Sequence, residues 1–396
     1  MNIFVNSFSK LGIVTLGFAL ISGPILNAQI STDELAGQQN VITTAVPFLT
    51  IAPDSRSAGM GDVGVATDPD VNATHWNAAK LAFADKPTGF GLSYAPWLRA
   101  IVPDVHLSYL SGYARISDNS VVGGSFRYFS LGQINFTNQI GDPEGNFEPN
   151  EFAVDGFYAT QLNENNSLAV SLRFIYSNLM GTRTFNGMST SPGIAGSGDV
   201  SWFYKNKIRK ASTPTRYAIG AAITNLGSKI TYTNSQDADF IPINLRVGTA
   251  WTFDFDEFNS LTLAFDANKL LTPTPPVYDI NGDIAAGMDP DVPVLQGVFQ
   301  SFYDAPGGFQ EEMKEIMLGF GLEYWYDKTF ALRAGYFNEA ETKGARKFFT
   351  FGFGLRYNVL GIDAAYLAPL MRTHPLQNQL RFSLLFDLDA FRTPEE

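Results

Sequence analysis

Three short stretches carry residue types that could do chemistry. Gly59-Met60-Gly61-Asp62-Val63-Gly64 fits the G-x-G-x-x-G pattern, in which glycines let the backbone approach a pyrophosphate at a helix N-terminus. Such a site needs a strand before it, a helix opening at it, and an acidic residue about 20 positions on. Here Pro69 blocks a helix after Gly64, Asp85 sits in a turn-like Asp85-Lys86-Pro87, and no βαβ pattern surrounds the run. Tight turns and positive φ, where a segment packs inside a barrel, account better for the glycines. Asp279-Ile280-Asn281-Gly282-Asp283 resembles half of a calcium loop, but Ile284 stands where glycine is required and Pro290 where the closing glutamate belongs. A polar turn is the simpler reading. His106 and Ser108 share one strand face and could serve as base and nucleophile. No acidic partner stands nearby, and strand parity places both in an interior, so a hydrogen-bonded pair is expected rather than catalysis. We therefore expect a protein that is not an enzyme, with no catalytic, cofactor-binding or metal-binding residues.

Composition narrows the classes further. The 396 residues are 45% hydrophobic and 14% aromatic but only 17% charged, against about 25% charged in an ordinary soluble protein. A net charge of -12 argues against nucleic acid as a partner. There is no cysteine, so disulfides and thiolate metal sites are excluded, and the three histidines, His75, His106 and His374, lie far apart in the sequence. Lys10 followed by an apolar run from Leu11 to Leu26 and the small residue Ala28 reads as a cleavable signal peptide over 1–28. No later run approaches the ~18 apolar residues of a spanning helix.

The elements that remain to carry function are strands. From about Thr88, segments of some ten residues alternate apolar with small or polar. In "KFFTFGFGLRY" one face is Phe349, Phe351, Phe353, Leu355 and Tyr357, and the other Thr350, Gly352, Gly354 and Arg356. "SLAVSLRFIY", "NLRVGTAWTF", "IMLGFGLEYW" and "QLRFSLLF" behave alike. Arginine recurs on the second face, at Arg127, Arg173, Arg246, Arg333, Arg356 and Arg381. Unpaired, such charges are costly inside a sandwich. They are tolerated in a barrel with a polar interior and a lipid-facing apolar exterior. The expected fold class is all-β, a transmembrane antiparallel β-barrel of about 14 strands with an N-terminal plug-like segment.

The organisation follows: 1–28 signal peptide, 29–86 an N-terminal periplasmic or plug segment, and 87–396 an outer-membrane barrel. An even strand count places both ends in the periplasm. Short turns at 117–120, 163–166, 254–258, 327–328 and 358 alternate with long loops. One presumed turn, 205–214, is long and basic and reads as a solvated periplasmic excursion. The longest loop, 271–315, is expected to be extracellular and ends in a short helix near Phe309–Ile316. Its apolar stretch, with Val292, Val294, Leu295, Val298, Phe299, Phe302 and Tyr303, is a partner-binding candidate. The rival reading is a lid over its own barrel. Either Phe386 or Phe391 could be the terminal aromatic for barrel assembly.

Residues 47–83, "PFLTIAPDSRSAGMGDVGVATDPDVNATHWNAAKLAF", resemble the N-terminal signature of the PorV family, outer-membrane barrels of the type IX secretion system within the wider FadL-like class. The resemblance rests on Ser55, Arg56, Gly59, Gly61, Asp62, Trp76 and Asn77 with their neighbours; Ala78 is a small departure, where a proline is expected. It implies fourteen strands, a lumen-associated N-terminal segment and export to the outer membrane of Bacteroidota. It also implies partners: a giant SprA-type translocon barrel, cargo bearing a C-terminal signal domain, a PorU-type attachment complex and lipopolysaccharide. The alternative is a FadL-like transporter of hydrophobic small molecules.

Overall fold

The computed structural model describes residues 40–387 apart from 99–101, 103, 138–139, 141, 183, 186–187, 209–212, 234–237 and 371–378. The signal peptide, His374 and Phe391 lie outside the described residues. Among the described residues fourteen antiparallel strands close into one barrel. They are β1 (Thr88–Pro96), β2 (Val105–Ser117), β3 (Ser120–Leu131), β4 (Asn150–Gln161), β5 (Asn166–Asn178), β6 (Gly193–Ile208) and β7 (Thr215–Gly227). The second half is β8 (Asn244–Asp254), β9 (Asn259–Leu270), β10 (Met317–Tyr326), β11 (Phe330–Asn338), β12 (Lys347–Tyr357), β13 (Leu360–Pro369) and β14 (Gln379–Phe386). Strand β14 closes the ring on β1, pairing Phe386 with Phe90 and Ser383 with Ser93. Closure leaves no unpaired sheet edge, which a strand protein in hydrocarbon requires.

The two faces separate as the period of two dictates. On β12, Phe349, Phe351, Phe353 and Leu355 are exposed, while Phe348 and Thr350 are buried. On β5, Leu168, Val170, Leu172 and Phe174 face outward and Ser171, Arg173 and Ile175 inward. Short and long connections alternate around the ring, so one end carries tight turns and the other long loops. Asp327 and Lys328 both hold positive φ, 49° and 50°, as a type I′ hairpin turn demands. The basic excursion expected at 205–214 is shorter than that. Strand β6 continues to Ile208, because Lys205 to Ile208 pair with Ala218 to Thr215.

The N-terminal segment departs from the expectation that both ends share one side. Asn40 donates from Nδ2 to the Pro275 carbonyl (3.1 Å) and Glu311 Oε1 (2.9 Å), both in the longest loop. Ala45 N donates to the Phe240 carbonyl at 2.9 Å. At the other end, Arg115 donates to the Ala84 carbonyl (2.7 Å) and Gln161 to that of Ala82 (2.6 Å), beside the short turns. Residues 40–87 thus run the length of the barrel interior, from the long-loop mouth to the short-turn end. Parity arguments count strands only and do not register a segment that threads the lumen before the first strand.

Candidate functional site

The inner segment is built from single turns of helix pinned by side chains. Helix α1 (Ser55–Ala58) is capped by Asp54, whose carboxylate accepts from Ser57 N at 2.9 Å. The same carboxylate accepts from Trp76 Nε1 at 2.7 Å, tying α1 to α2 (Ala73–Trp76). Burial first, and Asp70 second, push the Asp54 carboxyl up to about 6. Asn77 caps the 3₁₀ turn Ala78–Phe83, accepting from Ala79 N at 3.1 Å, and donates to the carbonyls of Val65 (3.1 Å) and Trp202 (2.9 Å). Ser55 N donates to Ser383 Oγ of β14 at 2.9 Å.

The glycine pattern answers to close approach. Gly61 has φ +73°, and a Cβ there would lie 2.7 Å from backbone atoms of Phe320 and Tyr336 on β10 and β11. A Cβ on Gly64 would sit 2.4 Å from the Trp76 ring. Gly64 N and Val65 N donate to Asp266 of β9 at 2.7 and 2.9 Å. The amides that could have cradled a phosphate are thus occupied by a wall carboxylate.

Several inward arginines meet carboxylates inside the barrel. Arg56 forks onto Glu323 at 2.8 and 2.6 Å and reaches Asp70 at 2.9 Å. Glu323 also receives Arg333 (2.8 Å), which continues to Asp363 (2.8 Å), and Asp363 in turn accepts from Arg356 (2.7 Å). Arg173 pairs with Asp155 and Asp199. His75 is held well below the usual imidazole range, first by burial and then by the charges of Arg127 and Arg246.

His106 and Ser108 do not face the interior. On β2 the buried parity is Leu107, Tyr109 and Ser111, and His106 lies between the outward rings of Tyr94 and Tyr128. The pattern misled because the inward face of this strand is apolar at the long-loop end, where Val105 and Leu107 pack in one cluster with Phe48 and Phe129 of the interior, so the polar residues fall on the outward face. The Asp279 to Asp283 stretch tips a small hairpin between Val277–Tyr278 and Ile284–Ala286. Asp279 Oδ1 accepts from Asn281 N (2.8 Å) and Asp283 N (2.9 Å).

The longest loop divides its apolar residues between two faces of helix α3 (Val294–Gln300), an element absent from the sequence reading. Val292 is buried, and Val294 and Val298 pack with it against Phe240, Ile241 and Leu271 at the barrel mouth. Leu295, Phe299, Phe302 and Tyr303 point away, 65%, 69%, 48% and 63% exposed. The expected second helix, α4, spans Phe309–Lys314. Below it, Lys269 binds Glu312 (3.0 Å) and Glu315 (2.5 Å), while Lys343 binds Glu311 (2.6 Å) and Glu315 (2.9 Å). This clamp was not read from the sequence, since its members come from β9, α4 and the 339–346 connection.

A family model described as "Type IX secretion system protein PorV" matches residues 34–277. No curated protein matches the chain. Among solved structures, the chain is similar to the toluene transporter TbuX of Ralstonia pickettii (11% identity, TM-score 0.45, covering 84% of this chain and 97% of that one). It is likewise similar to CymD, a monoaromatic hydrocarbon channel (12%, TM-score 0.47, 87% and 98%). A Pseudomonas aeruginosa FadL homologue gives 13% identity and a TM-score of 0.39, over 88% and 99%. At such TM-scores these likenesses carry no argument.

Proposed function

This chain belongs to the PorV family of the type IX secretion system, and from that premise we propose that it is a non-enzymatic docking component of that system in the outer membrane. In this reading it docks on a SprA-type translocon, accepts cargo bearing a C-terminal signal domain and passes it to a PorU-type attachment complex. The observation that carries the proposal is the pairing of a tied-down interior with an open apolar crest. Residues 40–87 are bonded to the wall at Ser383, Glu323, Asp266 and Trp202, while Leu295, Phe299, Phe302 and Tyr303 stand exposed on the loop. An exposed apolar cluster of this kind marks a binding surface.

The short turns face the periplasm in this proposal, and the long loops face outward. The signal peptide is removed before the barrel assembles. Because the chain has no cysteine, Thr43→Cys at the exposed Thr43 beside the long-loop mouth reports orientation directly. We expect it to react with a membrane-impermeant maleimide on intact cells, and reaction only after permeabilisation would reverse the orientation. The test of the function itself is gentle purification from the native membrane followed by mass spectrometry. Copurification of a very large barrel, or of proteins sharing a C-terminal domain, is the expected result. A lone barrel carrying hydrophobic small molecules would favour the transporter alternative, in which the inner segment must move.

A further inference from the structure

Most inward arginines of this barrel have carboxylates of their own. Arg173 has two, Arg333 has two, and Arg346 binds both oxygens of Glu339. Three others have none or only a long contact. Arg127 on β3, Arg246 on β8 and Arg381 on β14 are all at least nine-tenths buried. Among the described residues only one carboxylate, Asp62, comes within ion-pairing reach of any of them, at 3.4 Å from Arg381. Buried guanidinium charge without a counter-charge is among the most unfavourable arrangements in a folded protein.

The hydrogen bonds tell the same story. Arg127 donates to the carbonyls of Phe48 (3.2 Å) and Leu49 (2.8 Å), and to His75 Nδ1 at 2.6 Å. Nδ1 must then be the acceptor, so a neutral His75 ring carries its proton on Nε2. That Nε2–H faces Arg246 Nη1 at 3.4 Å, a donor against a donor. The Nε–H groups of Arg246 and Arg381 are buried with no acceptor in reach among the described residues. So is the side-chain amide of Gln379, two residues before Arg381 on the same inner face of β14. The rings of Trp76 and Trp97 stack against Arg246 (4.9 Å) and Arg381 (5.7 Å), covering the guanidinium faces and leaving their edges open.

Buried guanidiniums without close ion pairs, donors without acceptors and covered cationic faces have one common complement. We propose that a compact phosphoryl-type oxyanion binds inside the lumen, accepting from Arg246, Arg381 and His75 Nε2–H. Bound there, it joins the inner segment, through His75, to β8 and β14. The site is independent of the docking proposal and would exist in a transporter as well. The same chemistry could come from free phosphate or from the head group of a phosphorylated amphiphile.

The test uses the purified full barrel in phosphate-free, non-ionic detergent, with amide hydrogen exchange read over residues 62–80. A ligand that binds only the closed form slows exchange by about 1 + [L]/Kd, roughly tenfold at ten times Kd. Inorganic phosphate is expected to protect these amides relative to chloride of equal ionic strength, and Arg246→Gln with Arg381→Gln is expected to abolish that protection. Dodecyl phosphate forms the second arm. Protection by either ligand that is lost in the double variant supports the site, and the stronger ligand identifies the source. Equal exchange in phosphate, dodecyl phosphate and chloride overturns the proposal, as does protection retained in the double variant. Should the double variant fail to fold, the comparison on the unaltered protein decides alone.

Discussion

The inner segment and the longest loop invert the usual allocation of residues in opposite ways. Inside the barrel, charged groups are buried and many are paired, with Arg56, Glu323, Arg333 and Asp363 forming one chain of ion pairs. On the loop, large apolar groups are exposed, with Phe299 and Tyr303 more than 60% open. Buried ion pairs add little net stability compared with a well-packed apolar core, but they penalise any arrangement that separates them. They therefore fix where the segment sits. Apart from the Phe302 ring, which lies 6.0 Å from Lys269 Nζ, the exposed side chains add little within this chain, and a partner that covers them would account for their position. The interior is specific and tied down by its own side chains, whereas the loop is anchored below and open above.

The largest effect is expected from breaking the interior chain at its branch. Glu323→Gln leaves Arg56 and Arg333 without their shared carboxylate, and removing one partner of a buried pair costs about 3–5 kcal/mol. The urea midpoint of the folded barrel in vesicles should fall accordingly. A midpoint unchanged from the native protein would mean the interior is wet enough to solvate both guanidiniums. Gly61→Ala comes next. Its φ of +73° and the 2.7 Å approach of β10 and β11 backbone leave no room for a methyl, and overpacking of this sort costs roughly 1–3 kcal/mol. Faster amide exchange confined to residues 55–66 is the expected signature.

Acidity should act on the interior with two opposed signs. His75 has its folded pKa held far down, by burial and by Arg127 and Arg246. Its contribution is present above the unfolded value near 6.5 and is lost as pH falls below it. Asp54 is raised to about 6, so its contribution is present below about 4 and lost as pH rises through 6. Each slope is at most about 1.4 kcal/mol per pH unit. Between pH 6.5 and 5, His75→Gln should remove a loss of stability on acidification, whereas Asp54→Asn should deepen it. Parallel pH profiles in the two variants would contradict this assignment.

The sequence made the barrel legible because a membrane strand must alternate, and the alternation survives in nearly every segment from Thr88 to Phe386. Inward Arg127, Arg173, Arg246, Arg333 and Arg381 could be placed by parity alone. Parity failed at His106 and Ser108 because interior hydrophobes such as Phe48 face β2 there, which makes its inward face apolar and leaves the polar residues outside. A lumen-associated N-terminal segment was expected from the resemblance, but the course of residues 40–87 was beyond reach, since many of its partners lie far off in the sequence, as with Gly64 to Asp266 and Ser55 to Ser383. Helix α3 was hidden for a different reason. Its seven residues contain Gly297, which reads as a helix breaker but is needed where the Phe240 ring lies 2.6 Å from a would-be Cβ.

The smallest effect on stability, and the sharpest test of the comparison, comes from the loop. Converting Leu295, Phe299, Phe302 and Tyr303 together to serine removes only exposed side chains, so each change should shift stability by less than about 0.5 kcal/mol. Converting Val292, Val294 and Val298 instead empties the contact with Phe240, Ile241 and Leu271 and should loosen the loop, visible as faster exchange across α3. If the outward set is a docking face, the first variant inserts and unfolds like the native barrel yet loses its copurifying partners and secretion of cargo. The second variant is expected to lose both loop order and secretion. Normal secretion in the outward variant would mean that the crest is not the contact. Membrane insertion failing in that variant would mean that its side chains serve the barrel itself, and the contrast between a tied-down interior and an open loop would dissolve.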